Sequence, residues 1–396
     1  MKLSVPTNWE EGLLPQLNKK NIAVIYGKLD KDFVGAGRPS SILARITKRE
    51  TGRQISGIHK NGIKFDYLLN SPCLNNLEWT AFGQKEIRRL LDWLVTIGTD
   101  SVTVSMPYLL QMIKKCYSGI EVNISVGAGI ASLAKAKYWE DLGANQLTLL
   151  PTEANRDFQL LSNIRKAVNC RLQLIANLPC LHECPFYAYH IASLGHASQT
   201  EHINKGFFVD YYPLLCKYHK LSAPWRMVAA SWIRPEDLRY YEEIGIDRIK
   251  LVDRGWKTEY ILRAVEAYTN ERYDGNLLDL FSDTGKYQAF AKRYSWGRIK
   301  YLFHPMKYNM FLFHRRVSPM IFNDPSFLDN RKMGGFIKFF MDGKCKSANC
   351  SECNYCRGIA EEAFNVPNDY REKMLSLCGR LLNDIIDGTV FYCDKK

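Results

Sequence analysis

The sequence predicts a (β/α)8 barrel of the TIM type with a cysteine-rich C-terminal extension. Three stretches share one pattern: "LVTIGTDSVTVSMP" from 94, "WEDLGANQLTLLP" from 139 and "YEEIGIDRIKLVDRG" from 241. In each, a helical pattern ends at a glycine (Gly98, Gly143 or Gly245) and a short β-rich run follows. This is the helix-to-strand step of a βα repeat.

Short apolar runs supply the predicted strands, and amphipathic patterns over 82–97, 130–142, 153–168 and 256–270 separate most of them. The runs are "IAVIYGKL" (22), "FDYLLN" (65), "SVTVSM" (101), "EVNISV" (121), "QLTLL" (146), "RLQLIAN" (171), "RMVAASW" (226) and "DRIKLV" (247). Near-continuous apolar runs suit parallel strands covered by helices. An open doubly wound sheet is the alternative, because one sequence does not give the strand order.

The length of 396 residues suits one large α/β domain with an appendage. We predict a barrel over 1–275, a basic, aromatic-rich extension over 276–344, and a cysteine-cluster and helical region over 345–396. The sequence contains neither an apolar run of about eighteen residues nor a signal-peptide pattern. We therefore expect a cytoplasmic protein without a membrane segment.

The chain carries a formal net charge of +13, and residues 276–344 hold 12 Lys and Arg against 5 Asp and Glu, a net +7. Such a segment suits an RNA partner. A basic solvated surface is the favoured interpretation, because no RNP, KH or zinc-finger pattern accompanies the charge.

The segment "NLPCLHECPFYAYH" places Cys180 and Cys184 just after a predicted strand, with Tyr187 where a C-x3-C-x2-C motif would have its third cysteine. Cys73, in "LLNSPCLNN", follows its own strand, an Asn and a Pro by the same offset as Cys180. The carboxyl ends of barrel strands open at one mouth. Cys216, in "DYYPLLCKYHK", lies in an insertion that we expect to fold over that mouth. We call Cys73, Cys180, Cys184 and Cys216 the mouth set.

Thiolates are soft ligands that suit zinc or iron–sulfur sites, and four can hold a 4Fe-4S cubane. The alternative for each cysteine is a buried small hydrophobe. Near the same mouth, Arg234, Arg254 and Asp253 are candidates for orienting a polar or anionic substrate, although each arginine could equally form a salt bridge at the rim. His190 could also line the mouth or be structural.

A second group of thiols is written in "CKSANCSECNYC", a C-x4-C-x2-C-x2-C pattern. We call its members, Cys345, Cys350, Cys353 and Cys356, the tail set. The pattern opens like a plant-type ferredoxin run, whereas structural zinc more often uses two separated C-x2-C knuckles. This favours a second iron–sulfur cluster over zinc. Local patterns for serine hydrolases, zincins and P-loop NTPases are absent.

The chain resembles the collagenase-like peptidase U-32 family through "FDYLLNSPCLNN", "SVTVSMPYLL", "QLIANLPCLHECPFYAYH", "RIKLVDRG" and the tail "CKSANCSECNYC". The resemblance covers roughly residues 20–360. It implies a (β/α) barrel and, despite the name, a 4Fe-4S cluster on four cysteines that serves oxygen-independent hydroxylation. Relatives act in anaerobic ubiquinone biosynthesis or on tRNA and ribosomal RNA, and some depend on prephenate. The long gap from Cys184 to Cys216 and the tail set depart from the common family pattern.

Three hypotheses follow. The first is an iron–sulfur enzyme that carries out hydroxylation or a related redox change, served by an electron donor or a related partner subunit. The second is an RNA-modifying protein that uses the basic segment. The third is a non-enzymatic, metal-stabilised assembly partner. Proteolysis ranks last.

Overall fold

The computed structural model of the protein describes residues 1–203, 209–282, 308–320, 324–345 and 350–391. Within them, parallel strands β1 to β8 pair in chain order, and β8 pairs back to β1 to close a barrel. The strands are β1 (Lys2–Pro6), β2 (Ile22–Gly27), β3 (Lys64–Leu69), β4 (Ser101–Val104), β5 (Glu121–Ile124), β6 (Gln146–Thr148), β7 (Arg171–Ile175) and β8 (Arg248–Lys250). The predicted (β/α)8 fold is confirmed, and the open sheet is excluded.

Helices surround the barrel and build the C-terminal region. Those of the barrel region are α1 (Leu13–Gln16), α2 (Lys48–Lys60), α3 (Ala81–Thr96), α4 (Pro107–Cys116), α5 (Leu133–Asp141), α6 (Pro151–Ala154), α7 (Phe158–Ala167), α8 (Tyr187–His196), α9 (Tyr211–Ser222), α10 (Trp225–Val228), α11 (Leu238–Ile244) and α12 (Thr258–Thr269). The C-terminal ones are α13 (Met310–Val317), α14 (Lys338–Met341), α15 (Cys350–Cys353), α16 (Tyr355–Ala363) and α17 (Asn368–Ile386). Strands β9 (Phe327–Leu328) and β10 (Phe364–Asn365) form a small antiparallel sheet.

One predicted strand was wrong and one strand was missed. The run 226–232 is not a strand: it begins in α10, and its Trp232 ring stacks on Phe281 and Phe336. The barrel is instead completed by β1, which pairs with both β2 and β8. Within β1, the Ser4 hydroxyl donates to Gln173 at 2.6 Å inside the barrel. A polar interior position breaks the continuous apolar run by which parallel strands are recognised.

The glycines of the repeated pattern have the backbone conformation expected of them. Gly98, Gly143 and Gly245 have φ angles of 75°, 98° and 95°. Glycine adopts this left-handed region at little cost, because it has no Cβ to clash with the backbone. Each therefore ends its helix and turns the chain into the next strand.

The described parts of the C-terminal region pack on the barrel. Trp232, Phe281 and Phe336 belong to one hydrophobic core together with the strands. A smaller cluster, with Leu221, Met374 and Leu377, joins α9 to α17. Residues 283–307 and 321–323 of the predicted basic extension lie outside the described residues, so its boundaries stay a prediction. No helix in the described ranges is long and apolar enough to span a bilayer.

Candidate functional site at the barrel mouth

The loops after β2 and β8 bring charged side chains together at the mouth. Arg38, in the loop after β2, pairs through Nε with Asp253, which follows β8. Lys28 Nζ lies 3.0 Å from Asp32 Oδ2, and the Tyr67 hydroxyl donates to the same oxygen at 2.9 Å. Lys28 and Asp32 are almost fully buried, so each charge depends on the other for compensation.

Arg254 is 6% exposed, and its Nη1 has no hydrogen-bond partner among the described residues. Burial lowers the pKa of its guanidinium, while Tyr26 and Asp253 act in the opposite direction. A buried guanidinium N–H without an acceptor is costly unless a ligand supplies one. Arg254 is therefore the group at the mouth best placed to receive an anion.

Lys250, the last residue of β8, lies with its ammonium 3.9 Å from the centre of the Tyr26 ring. Burial lowers the pKa of Lys250 to about 8, and nearby Asp66 partly opposes this. The mouth thus holds more cations than carboxylates. We call these residues the cationic mouth cluster: Lys28, Arg38, Lys250 and Arg254, with Asp32, Asp66 and Asp253.

Three members of the mouth set lie within electrostatic range of one another. Burial is the largest of the influences that raise the pKa of the Cys180 thiol to about 12, and Cys216 and Cys184 contribute in the same direction. Burial also raises the pKa of Cys184, with Cys216 contributing in the same direction. The predicted convergence of Cys216, from α9, with the cysteine pair after β7 is consistent with these interactions.

Backbone contacts hold the cysteine pair and α9 in place. The Cys180 carbonyl accepts from the Ser231 N–H at 2.9 Å, and the Pro179 carbonyl accepts from Lys220 Nζ on α9. On its other side, the last turn of α9 is held by Arg371 of α17, whose Nε donates to the Leu221 carbonyl at 2.7 Å. The C-terminal helix therefore helps to position the segment that carries Cys216.

Cys73 lies on the same rim, in the loop after β3. Its thiol accepts from the Asn75 N–H at 3.2 Å, and its carbonyl accepts from Gln199 Nε2 at 2.6 Å. Gln199 follows α8, and Gly195 of α8 lies so close to Ser71 that a side chain there would clash. Cys73 is not among the main influences on the pKa of Cys180. Its place in the mouth set stays a prediction.

Among the described residues, no three His, Cys, Asp or Glu side chains are arranged to hold a metal ion. A single zinc ion requires all its thiolates about 2.3 Å from one point. A cubane instead takes its four cysteines on different irons, so its ligands stand further apart. The described thiols therefore do not form a ready-made site for a single ion, and the kind of centre on either set stays a prediction.

Tyr187 lies between the thiols and the cationic mouth cluster. Its hydroxyl is buried and has no hydrogen-bond partner in the described part of the chain. Burial raises its pKa, Cys180 and Cys184 raise it further, and Arg38 lowers it. The residue that interrupts the C-x3-C-x2-C pattern is therefore a neutral hydrogen-bond donor beside the cysteines.

Two other predicted residues have different surroundings. Arg234 is buried against the C-terminal region: its Nε donates to Asn330 Oδ1 at 2.8 Å, and its Nη1 bonds the Met333 carbonyl. These contacts favour the salt-bridge and anchoring alternative. His190 of α8 lies 3.5 Å from Asp210, just before α9. His190 therefore joins α8 to the start of α9.

The tail set lies in the C-terminal region, on and beside α15 and α16. Cys350 and Cys353 are the first and last residues of α15, and Cys356 is the second residue of α16. Cys345 and Cys356 both pack against the main hydrophobic core. Burial is the largest of the influences that raise the pKa of Cys356 to about 12, Arg156 opposes it, and Cys345, Cys350 and Cys353 act in the same direction as burial. The four tail thiols therefore lie within electrostatic range of one another, and their place in one metal site stays a prediction.

Sequence reasoning missed part of the site, namely Lys28, Asp32, Arg38, Lys250 and a role for Tyr187. The residues between 28 and 38 form a loop without helical or strand periodicity, so no pattern singled them out. The available signal was their position after a barrel strand, where functional side chains concentrate.

The geometry defines a (β/α)8-barrel protein with a thiol-lined, cation-rich mouth. Residues 44–175 match the model of peptidase family U32. A protein of Methanocaldococcus jannaschii named as an uncharacterized protease is 30% identical over 353 residues, which cover 89% of this chain and 91% of the relative. The chain belongs to peptidase family U32.

Solved structures share the barrel at low identity. A U32 peptidase matches at 20% identity and a TM-score of 0.48, covering 64% of this chain and 93% of its own. An aldolase from Escherichia coli K12 matches at 11% identity and a TM-score of 0.38, covering 68% of this chain and 80% of its own. Likenesses of this size do not bear on function.

Proposed function

We propose that this U32 protein is an iron–sulfur enzyme that carries out oxygen-independent hydroxylation, or a related redox change, on a polar or anionic substrate bound at the barrel mouth. Cys180, Cys184 and Cys216 would hold a 4Fe-4S cluster, with Cys73 as the fourth ligand. The observation that carries the proposal is that Cys180, Cys184 and Cys216, from two distant segments, lie within electrostatic range of one another, with Arg38 of the cationic mouth cluster in range of Cys180.

The thiols support a redox role better than a nucleophilic one. A thiol protease needs a histidine within hydrogen-bond reach of its cysteine. His182 and His190 lie instead beside Glu183 and Asp210. Burial raises the pKa of Cys180 to about 12, which leaves a free thiol protonated and a poor nucleophile at neutral pH. Bound iron would favour the thiolate.

The remaining side chains of the mouth suit substrate binding. Arg254 Nη1 and the Tyr187 hydroxyl are buried donors without protein acceptors in the described ranges. An anionic group between them would accept both hydrogen bonds. Asp253 holds Arg38 through its Nε, so Arg38 is oriented before a ligand arrives. These residues would fix the substrate beside the thiols and exclude water from them.

Hydroxylation replaces C–H by C–OH and removes an electron pair from the carbon. Without molecular oxygen, an oxygen-donating co-substrate must be reduced by the same pair, or water supplies the oxygen while an external acceptor takes the electron pair from the carbon and two protons are released. A bound cluster would supply one-electron transfer between these partners. The proposal names the substrate and the oxygen donor only by chemical class.

Metal analysis of the whole chain, purified without oxygen, tests the proposal. We expect iron and acid-labile sulfide in equal amounts with a broad visible absorption band, and we expect Cys180→Ser to lose about four irons and four sulfides. The matched control is Cys116→Ser, an exposed thiol at the end of α4, which should keep the full content. Equal iron and sulfide in the Cys180→Ser protein and its parent would refute a cluster at the mouth.

A further inference from the structure

Arg156 is a buried cation that the proposed function does not use. It lies in the turn between α6 and α7 and is 5% exposed. Its Nη2 donates to the carbonyls of Ala230 and Trp232 at 2.8 and 3.0 Å. Its Nε and Nη1 have no acceptor among the described residues. A buried guanidinium with unpaired N–H groups is expected to face an anionic partner.

Aromatic rings surround this guanidinium. Its central carbon lies 4.5 Å from the centre of the Trp232 ring, 4.7 Å from that of Phe336 and 4.8 Å from that of Phe340. Ring faces attract a cation, but they accept none of its hydrogen bonds in the plane of the guanidinium. The rings therefore hold Arg156 in place and leave two of its N–H-bearing nitrogens available.

The same aromatic segment carries the tail set. The Tyr355 hydroxyl donates to the Phe336 carbonyl at 2.9 Å, and its ring stacks on Phe339 at 3.9 Å. Cys356 directly follows Tyr355 in the sequence, and Cys345 is the last residue of the segment 336–345 that begins with Phe336. Both cysteines pack against the hydrophobic core that contains these aromatic rings. The tail thiols and Arg156 are thus held on one packed unit.

The backbone also gathers the tail thiols. Cys350 and Cys353 are three positions apart on α15, a spacing that places side chains on one helix face. Asn354 has a φ of 52° and turns the chain before α16, whose second residue is Cys356. The Phe336 ring stacks on Tyr355 at 5.9 Å and lies 4.7 Å from the guanidinium carbon of Arg156, so one ring joins Arg156 to the segment that carries Cys356.

We propose that Cys345, Cys350, Cys353 and Cys356 bind a second metal centre docked on the barrel, and that the buried guanidinium of Arg156 compensates the negative charge of that centre. Four thiolates carry more negative charge than one zinc ion or one cubane core neutralises, so either centre is an anion. Placed in a low-dielectric region, such an anion requires a fixed cation. The centre does not depend on the mouth set and goes beyond the proposed function.

The first test separates this centre from the mouth. The full chain carrying Cys180→Ser and Cys184→Ser is purified without oxygen, and iron, sulfide and zinc are measured. We expect either iron with sulfide or zinc to remain, and further substitution of Cys353→Ser to remove it. A metal-free Cys180→Ser/Cys184→Ser protein that is folded by circular dichroism would overturn the second centre while leaving the mouth proposal standing.

The second test asks what Arg156 does, in the same background, by timing metal release to a chelator. We expect Arg156→Met to speed release by roughly 10- to 100-fold, the usual effect of losing an outer partner of a metal site. Arg156→Lys keeps the charge and should restore most of the retention. Arg357→Met is the control, because Arg357 is an exposed cation beside Cys356 that stacks on Trp225 at 4.9 Å.

The lysine variant distinguishes charge compensation from a packing role. If Arg156 only braced the Ala230 and Trp232 carbonyls, Lys and Met would release metal equally fast, and that result would overturn the charge role. Release from Arg156→Met at the parent's rate would also overturn it. Thermal unfolding of each variant shows whether the barrel itself has been weakened.

Discussion

The two cysteine sets are built in opposite ways. The tail set is local: its four thiols fall within a dozen residues, and two short helices arrange them. The members of the mouth set lie further apart in the sequence, since Cys73 follows β3 and Cys216 lies on α9, in segments separate from the pair after β7. A local set can be recognised from spacing, whereas a long-range set exists only once the fold has formed.

The surroundings of the two sets differ as well. The Tyr187 hydroxyl, a buried donor with no protein acceptor in the described residues, lies within electrostatic range of Cys180 and Cys184, and Arg38 of the cationic mouth cluster lies within range of Cys180. The tail thiols lie beside one caged cation, Arg156, within aromatic packing. The first arrangement leaves room for a ligand to be recognised, and the second is suited to holding a fixed centre.

We expect the largest effect, a loss of stability, from a substitution where the barrel packs against the segment that carries the tail set. Trp232 stacks on Phe281 and Phe336 and contacts Arg156, so it links the barrel to the segment that carries the tail set. We expect Trp232→Ala to lower the free energy of unfolding by about 3–5 kcal/mol, the range for a buried aromatic residue truncated to alanine. Chemical denaturation measures this. The exposed Trp79→Ala should change it little, and equal effects of the two would mean that the stacked joint is unimportant.

Ligand recognition should depend on the mouth alone. With malonate as a dicarboxylate probe, we expect Arg254→Met to weaken binding by about 10- to 100-fold, because a buried charge-assisted hydrogen bond is lost. Isothermal titration calorimetry gives the affinity. Arg239→Met, at an exposed arginine, is the control. Malonate affinity that is the same in Arg254→Met and in the parent would remove Arg254 from the site.

The pH dependence of anion binding should report the ionisation of Lys250. Burial lowers its pKa to about 8, so its ammonium is charged below that pH and neutral above it. Malonate affinity should therefore fall as pH rises through about 8, by at most about tenfold per unit. The Lys250→Met variant should bind more weakly at pH 7 and lose this step. A step of the same size in the variant would assign the titration to another group.

We expect the smallest loss of stability from a substitution on α17. It should also distinguish the long-range mouth set from the local tail set most clearly. Arg371 of α17 donates to the Leu221 and Ser222 carbonyls at the end of α9. We expect Arg371→Ala to lower the free energy of unfolding by about 1–2 kcal/mol, because charge-assisted hydrogen bonds are lost. Because α9 carries Cys216, we expect less metal at the mouth and unchanged metal at the tail. Arg380→Ala, on the exposed face of the same helix, should affect neither, and a loss confined to the tail would contradict the comparison.

Much of the fold followed from local pattern. The glycines at 98, 143 and 245 end helices with the positive φ that only glycine adopts readily, so the helix-to-strand step could be predicted from them. The error at 226–232 has a physical origin. An apolar run becomes buried both as a strand and as a helical turn with packed loop residues, and hydrophobicity alone does not separate the two. The missed β1 places Ser4 in a polar barrel interior, which interrupts its apolar run.

By itself, the sequence determined the barrel class, the tail set and the pairing of Cys180 with Cys184, because each depends on residues close together in the chain. Only the tertiary structure decided which distant groups meet. It brought Arg38 to Asp253 and Arg156 into its aromatic cage, and it turned Arg234 toward Asn330. These contacts arise when barrel closure places loops from separate strands at one end. No local periodicity encodes them, since they depend on the order and tilt of all the strands together.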